Sequence, residues 1–515
     1  MSQKNSLKNI NSIVDIVVDK FNIYSDKVAI RHHDIDYTYS DLHKAANCVA
    51  TYLVSNGLKV NDRVSLIMAN SFEYISIYYG ILLSGGVVVP LNTAAKYNDL
   101  LSWIKHSDSK WVFSDAKNKE VNHLIPKLYK EVEFIILGDF NRISHDEKNI
   151  INYKNIQKDD YTKIKISGND LASIIYTSGT TGQPKGVTIT HINLLTNMLS
   201  ILECLPIEDT DCCLNVLPFY YSYGNSILHT HMMSGATILL ENSLLYPHTI
   251  LKKIEDEKIS SFSGVPSTFA LLLNRTTFAD YNLSSLRYIT QAGGAMLPKH
   301  INELKECLPH VELIIMYGQT EATARLAYLP YSKLGVKISS AGKAISGVVL
   351  EIRDNLGNKL GSGEIGEIYA YGTNIMKGYW KDEILTSSTI IDDWLKTGDL
   401  ATMDEEGYIY IVGRKTEMIK SGAHRISPLD IEESILHCEG VAEVAIIGLD
   451  DEILGQIIKA FIVQKPGSNI GIRDVQRHCK EHLAIYKIPK IIEFIDKLPT
   501  TASGKLKRFE LRDIH

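Results

Sequence analysis

The sequence predicts an α/β protein with a large N-terminal domain of layered α/β subdomains, a β-rich subdomain behind it, and a small α+β domain at the C-terminus. Three observations carry that prediction. Between residues 64 and 114 short apolar β-runs alternate with helical patterns. From residue 341 the texture changes to short strands bounded by turn residues, and past residue 413 a compact mixed unit begins. Alternating strand and helix argue for helices packed on a largely parallel sheet. At 515 residues the chain is too long for one ordinary core, so two or more domains are expected.

In chain order, 64–68, 87–91 and 111–114 read as strands, with helices over 74–83 and 99–106 between them. The most apolar window, 75–89, carries two tyrosines and is broken by Gly85-Gly86. It reads as a buried helix turning into a strand, not a membrane span. Residues 116–168 are polar, lysine-rich and weakly periodic, and read as variable surface structure, with 117–130 a solvated patch. Regular α/β patterning resumes from 171 to about 315, and 350–354, 364–370 and 408–412 read as hairpin strands of a smaller sheet. A strand stopping at the charged turn Gly413-Arg-Lys-Thr416 marks the boundary between domains 1–413 and 414–515. Beyond it come a helix over 430–437, strands over 441–449 and 456–464, a helix over 472–482, a strand over 490–494 and a basic tail. Gly361-Ser-Gly-Glu-Ile-Gly366 fits G-x-G-x-x-G literally, but the dinucleotide fingerprint opens a helix. Here an alternating strand pattern follows, so the segment reads as a hairpin bend and implies no nicotinamide or flavin.

Composition narrows the function. Hydrophobic content of 45% and charged content of 22% describe a soluble globular chain, and a net charge of −6 provides no electrostatic footprint for nucleic acid. The seven cysteines are scattered and lack metal-ligand spacing, which suits reduced thiols in a cytoplasmic protein. Met1-Ser-Gln-Lys-Asn lacks the apolar stretch of a signal peptide, and Arg512-Asp-Ile-His515 matches no lipidation or peroxisomal address.

The densest chemical signal is Tyr176-Thr-Ser-Gly-Thr-Thr-Gly-Gln-Pro-Lys-Gly-Val187, flanked by strand-like runs. Its glycines let backbone N–H groups approach an anion, Ser178, Thr180 and Thr181 add donors, and Lys185 adds a positive point charge. It departs from the P-loop pattern, because glycine follows Lys185 and no helix opens there. Alone it is also compatible with an ordinary Gly/Ser/Thr hairpin. Four further signals follow in order. Met316-Tyr-Gly-Gln-Thr-Glu321 offers an aromatic face, a hydroxyl and a carboxylate suited to Mg²⁺ shared with substrate phosphates. Lys396-Thr-Gly-Asp399 sets a carboxylate after a tight Gly turn, suited to a ribose, and Arg414 offers a guanidinium. Thr500-Thr-Ala-Ser-Gly-Lys505 presents a lysine on a C-terminal loop.

Together and in this order these segments resemble the adenylate-forming superfamily of acyl-CoA synthetases, stand-alone adenylation enzymes and beetle luciferases. The resemblance runs from Tyr37-Thr-Tyr-Ser-Asp-Leu42 to Lys505 and includes Gln291-Ala-Gly-Gly-Ala295, the stretch from Gly413 through Gly422 to Glu432, and Tyr486-Lys-Ile-Pro489. It implies two half-reactions: attack of a carboxylate on the α-phosphorus of ATP, then displacement of AMP by a thiol. By similarity, Thr177, Ser178, Gly179, Thr180, Thr181, Gly182 and Lys185 hold the β- and γ-phosphates. Gly293, Gly294, Ala295, Tyr317 and Gly318 hold adenine, Thr320 the α-phosphate, Glu321 Mg²⁺, and Asp399 and Arg414 the ribose. Lys505 bridges carboxylate and α-phosphate, carried by a small domain that is mobile about Thr416, while Gly422 borders the pantetheine channel. Relatives usually have an acid or lysine at the hinge, so threonine is a departure there.

The same resemblance puts Tyr221, Ser222, Tyr223 and Gly264 around the acid. Relatives activating α-amino acids place an aspartate where Ser222 stands, and a serine cannot pair a buried ammonium. A fatty, aromatic or hydroxylated acid is expected instead. For the thiol, coenzyme A and the phosphopantetheine of a separate carrier protein both remain open, and no carrier segment is read in the chain itself. A luciferase-like oxidative role would share the adenylation step, but none of these residues specifically supports oxygen chemistry.

Overall fold

The computed structural model describes residues 12–128, 130–139, 150–156, 161–177, 185–421, 424–451, 454–501 and 504–512. Two large sheets form the N-terminal part. The first runs in the order Lys343–Ala344, Ala327–Leu329, Glu312–Tyr317, Tyr288–Gln291, Ser261–Gly264, Cys212–Asn215, Thr237–Leu240, Val28–His32, Ile35–Thr38. Its centre is parallel, with Gly264 opposite Gln291 and Gln291 opposite Ile315, so three neighbouring strands end together at their carboxyl edge. The second sheet runs Gly378–Tyr379, Lys185–Thr190, Leu171–Thr177, Val87–Pro90, Arg63–Ile67, Trp111–Asp115, Glu133–Leu137, Ile150–Asn152. The expected layered α/β class is what the chain adopts.

The apolar window folds as the helix Phe72–Leu83, buried along nearly its whole length, then the fully buried strand Val87–Pro90. An all-round apolar helix must be covered on every side. It packs between the sheets against the helix Tyr39–Ser55, where a Cβ at Gly80 would lie 2.5 Å from Val49 Cβ. The region expected to be surface structure differs from that reading. Residues 119–128 form a helix burying Val121, Leu124, Ile125 and Leu128, and Glu133–Leu137 and Ile150–Asn152 extend the second sheet. The four apolar positions share one helix face, and the intervening Asn122, His123, Pro126 and Lys127 obscure that period.

The β-rich subdomain is the third sheet, Val348–Arg353, Gly366–Gly372, Trp394–Met403 and Ile390–Ile391, with Ile409–Arg414 paired to Trp394–Met403. The Gly361–Gly366 bend is a hairpin connection, since Val348–Arg353 pairs antiparallel with Gly366–Gly372. The fourth sheet holds Ile419–Ser421, His424–Ile426, Val441–Asp451, Gly455–Gln464 and Ile491–Phe494, covered by the helices Pro428–Leu436 and Ile472–His482. The chain passes from third sheet to fourth in the four-residue turn 415–418, which contains the exposed Thr416. Among the described residues no helix is long and apolar enough to cross a membrane.

Candidate active site

Strand ends build the cleft. Glu312–Tyr317 delivers Tyr317 at its last residue, and the chain then folds back sharply, so that a Cβ at Gly318 would fall 2.0 Å from the Ala324 carbonyl oxygen. Only glycine permits that approach. The turn Thr320–Ala322 follows, pinned by Met376 N–H donating to the Glu321 carbonyl and by Thr323 Oγ1 donating to the Asn374 carbonyl. Thr320 and Glu321 are thereby fixed at the carboxyl edge of the first sheet, where parallel α/β sheets bind ligands.

Asp399 lies inside the long strand Trp394–Met403 and not after a tight turn as expected. Gly398, at φ +74°, and a register shift at Leu400/Ala401 make a bulge that turns the carboxylate out of the sheet. Arg414 is its direct cross-strand partner. Tyr317 Oη donates to Asp399 Oδ2 at 2.7 Å, and Arg414 Nε lies 2.9 Å from Asp399 Oδ1. Burial and the neighbouring Asp399 push the Tyr317 hydroxyl well above the usual phenol range, so it stays a donor. The Asp399 charge, opposed by burial, holds the Arg414 guanidinium above its ordinary value. These three side chains form one hydrogen-bonded unit.

Lys505 reaches the cleft from the opposite lobe. Thr501 and Lys505 are tied to each other: Thr501 N–H donates to the Lys505 carbonyl at 2.7 Å, and Lys505 N–H donates to Thr501 Oγ1 at 3.0 Å. Ser267 Oγ donates to the Gly504 carbonyl at 2.7 Å, docking this turn on the first residues of the helix Pro266–Arg275. Lys505 then extends to Gly293, where a Cβ would sit 3.2 Å from Lys505 Cε, so the glycine at φ +87° leaves room for the lysine stem. The lysine keeps an open face on the cleft with protein packed around the rest of it. Desolvation pulls its ammonium below the ordinary lysine value, Arg414 adds to that, and Glu321 and Asp399 oppose it. Arg508 ties this C-terminal segment down through Glu432 (Nη2 to Oε2, 3.0 Å), the Ile446 carbonyl and Glu417.

The cleft therefore gathers Gly293, Tyr317, Thr320, Glu321, Asp399, Arg414 and Lys505. Gly294 and Ala295 are exposed beside them, and Gln291 Nε2 donates to the Gly294 carbonyl at 2.8 Å. Ser222 Oγ lies 3.2 Å from Thr320 Oγ1, which joins the start of the helix Ser222–Ser234 to the Thr320–Ala322 turn. Tyr221 lies tilted against Tyr220 at 4.7 Å between ring centres, and Asn92 Nδ2 lies 3.5 Å from its hydroxyl. Tyr223 is buried, its hydroxyl bonded to Thr290, so it presents a ring and no free hydroxyl. Gly264 closes the neighbouring strand, packed on Thr268 and Phe269.

Thr177 and Lys185 face each other at the open end of an antiparallel pair. Ser178, Gly179, Thr180, Thr181 and Gly182 between them lie outside the described residues, as does Gly422. Thr416 touches no cleft residue in any described bond and belongs to the linking turn. Sequence reading missed Tyr379, whose hydroxyl donates to Glu321 Oε1 at 2.9 Å and whose backbone pairs with Val187 beside Lys185. It couples the strand Lys185–Thr190 to Glu321. Its only signal was an aromatic pair after Gly378 in a charged stretch. Arg325 was missed as well, although an arginine inside the run Ala324-Arg-Leu-Ala-Tyr-Leu329 is an anomaly that hydropathy alone displays.

The fit to Mg²⁺ is that of a lone carboxylate. Among the described residues no group of three or more His, Cys, Asp or Glu side chains converges. Of the two cleft carboxylates, Asp399 is taken up by Arg414 and Tyr317, and Glu321 is left with the Tyr379 hydroxyl. Mg²⁺ is commonly held by one or two carboxylates completed by substrate phosphates, and Glu321 suits that arrangement.

Comparison with known proteins agrees with this geometry. Sequence models of the AMP-binding enzyme and of the AMP-binding enzyme C-terminal domain match residues 19–380 and 430–505. The chain is 32% identical to a 2-succinylbenzoate–CoA ligase of Bacillus cytotoxicus over 95% of this chain and 96% of the relative. Among solved structures, ATP-bound MatB from Rhodopseudomonas palustris superposes with a TM-score of 0.87 at 28% identity, covering 98% of this chain and 99% of that one. The anthranilate CoA ligase AuaEII in complex with anthranoyl-AMP superposes with a TM-score of 0.89 at 25% identity, covering 99% and 98%. Matched along both of its lobes, the chain belongs to the AMP-binding enzyme family and is an AMP-forming, adenylate-forming ligase.

Proposed function

We propose that the chain couples a carboxylic acid to coenzyme A in two half-reactions, with the cleft residues in the following roles. The single observation that carries this reading is Lys505 reaching Gly293 from the C-terminal loop into a cleft whose other charges are Glu321, Asp399 and Arg414. ATP and the acid enter as substrates. Gly293, Gly294, Ala295 and Gly318 offer flat backbone to adenine beside the Tyr317 ring, and Asp399 accepts from the ribose hydroxyls while Arg414 fixes its carboxylate. Thr320 donates to the α-phosphate, and Lys185 with the 178–182 hairpin takes the outer phosphates. Bound Mg²⁺ supplies charge neutralisation on the phosphates, and Glu321, oriented by Tyr379, is the residue that holds it.

Lys505 acts at the acid carboxylate and the α-phosphate together. A charge pair about 4 Å apart is worth about 1 kcal/mol in bulk water and roughly 4 kcal/mol at an effective dielectric near 20. The lysine is therefore effective only when its lobe is closed and water is excluded. Swinging that lobe about the turn containing Thr416 would clear Lys505 and admit the thiol past the segment containing Gly422. The two catalytic requirements are thus separated in time by one domain movement. The reduced thiols and the absence, among the described residues, of a membrane-crossing helix support a cytoplasmic setting.

Lys505→Ala should lower acid-dependent ATP–pyrophosphate exchange by about a hundredfold or more, the usual scale for removing one transition-state charge contact. Attack of coenzyme A on a supplied acyl-adenylate should stay within about threefold of wild type. Equal loss in both half-reactions would remove Lys505 from the assigned role.

A further inference from the structure

Arg325 is a buried cation that the mechanism above does not use. It is 2% exposed. Its Nε lies 3.2 Å from Met316 Sδ, its Nη1 is 3.5 Å from the Ala324 carbonyl, and its guanidinium carbon stands 4.3 Å over the Tyr223 ring. Among the described residues no carboxylate pairs with it, and its neighbours Tyr223 and Cys204 are uncharged at neutral pH, burial having raised both above their ordinary values. Burial pulls its pKa down to about 10, which leaves it charged at neutral pH. An uncompensated buried charge carries a desolvation penalty of several kcal/mol, and proteins ordinarily pair it. Ring stacking recovers only part of that. The guanidinium retains a planar fork of donors for which the protein offers a thioether and one long carbonyl contact.

Its position points to the missing partner. Arg325 follows Thr320 and Glu321 on the same fold-back, and its backbone N–H is held by Asn197 Oδ1 at 3.1 Å. Tyr223, beneath it, is the second residue of the helix whose first residue, Ser222, touches Thr320. Its charge is also felt by Lys505. Through Tyr223 and its own fold-back Arg325 adjoins Ser222 and Thr320, and it is enclosed where Lys505 is exposed.

We infer that Arg325 is a specificity-determining residue that binds a second anionic group, a carboxylate, at the inner end of the acid substrate, so the preferred substrates are dicarboxylic acids activated at one end. This rests on the reading of the cleft as an acid-activating site. A bidentate guanidinium–carboxylate contact forms only with the charged partner, and a substrate lacking it leaves the arginine buried and unpaired.

The test is pyrophosphate exchange with linear dicarboxylic acids from malonate to suberate and with benzene dicarboxylates, each against its monomethyl ester. In wild type at least one dicarboxylate should exceed its ester in kcat/KM by about tenfold or more, the scale of a hydrogen-bonded charge. Arg325→Met should erase or invert that ratio while retaining exchange with the ester, and Arg325→Lys should reduce it. The wild-type ratio decides without a variant should Arg325→Met fail to fold. Esters matching or exceeding every dicarboxylate in wild type would overturn the inference and leave the ligase reading intact. Thermal stabilisation by the preferred dicarboxylate in the presence of AMP gives a readout independent of turnover. That stabilisation without any exchange, lost in Arg325→Met, would place a carboxylate at Arg325 with no acid activated, which overturns the inference as stated together with the ligase reading it rests on.

Discussion

At the scale of single residues, the proposed nucleotide end of the cleft depends on how Asp399 is held. Its carboxylate receives Tyr317 Oη and Arg414 Nε, so removal of either partner leaves the other in place. Tyr317→Phe should raise the KM for ATP by roughly tenfold or less, the scale of one hydrogen bond to a charged group. Asp399→Ala should cost more, about a hundredfold in kcat/KM for ATP, because it removes the proposed ribose acceptor and leaves Arg414 without its carboxylate. Initial rates over a range of ATP at saturating acid would check both. An Asp399→Ala enzyme with a normal KM for ATP and a raised KM for the acid would move the nucleotide elsewhere. The identity of Asp399 was legible in Thr397-Gly-Asp399, but its setting was not. A bulge depends on the register of two partner strands, Gly366–Gly372 and Ile409–Arg414, which local spacing does not encode.

At the scale of elements, the C-terminal turn illustrates why a glycine stands beside the lysine. Gly504 is at φ +80°, and a Cβ there would lie 2.6 Å from Ser267 Oγ and 2.8 Å from Val265 Cγ2. Gly504→Ala therefore strains the turn and collides with the helix start on which it docks. Adenylation should fall about tenfold or more, since a misplacement near 1 Å can cost a hundredfold, while thiol attack on a supplied acyl-adenylate should hardly change. Ser267→Ala should show the same direction with a smaller loss, as it removes one hydrogen bond. A Gly504→Ala enzyme slowed equally in both half-reactions would mean that the turn supports the lobe generally and does not serve closure. Elements with clean periods, such as Phe72–Leu83 and Gly455–Gln464, were readable within a few residues. Lys119–Leu128 was not, because its apolar face is one narrow stripe in a charged sequence, and Trp394–Met403 was not, because Gly398 and Asp399 break its alternation. Tyr379 fell between these cases: a strand of two residues is defined by its partner alone.

At the scale of the whole molecule, the two large sheets are joined through helices, and that junction contains histidines held without charge. His229, on Ser222–Ser234, sits among Tyr78 and Tyr79 of Phe72–Leu83 with ring centres 5.3 and 5.6 Å away. Tyr79 Oη lies 3.0 Å from its Nδ1. Burial lowers the pKa of His229 to about 3 and that of His191, at the start of His191–Cys204, to about 4. Among the described residues both ring nitrogens of His191 lack a hydrogen-bond partner, so protonation in place would add a charge to a site with nothing there to receive it. The unfolded chain binds these protons near the ordinary histidine pKa of about 6.5, while the folded chain refuses them until far lower pH. The stability they protect is therefore complete above about pH 6.5 and is lost progressively as the pH falls toward the folded values. Each histidine contributes a slope approaching about 1.4 kcal/mol per pH unit. Urea unfolding between pH 7.5 and 5 should show that decline, and His191→Gln should reduce the slope by about one proton relative to wild type. Unfolding free energies that stay level to pH 5, or a His191→Gln slope equal to wild type, would show that these rings find protons inside the folded junction. The consequence for activity is separable: the cleft groups Thr320, Glu321 and Lys505 lie outside this seam, so acid inactivation should track loss of the junction and be reversed on refolding at neutral pH.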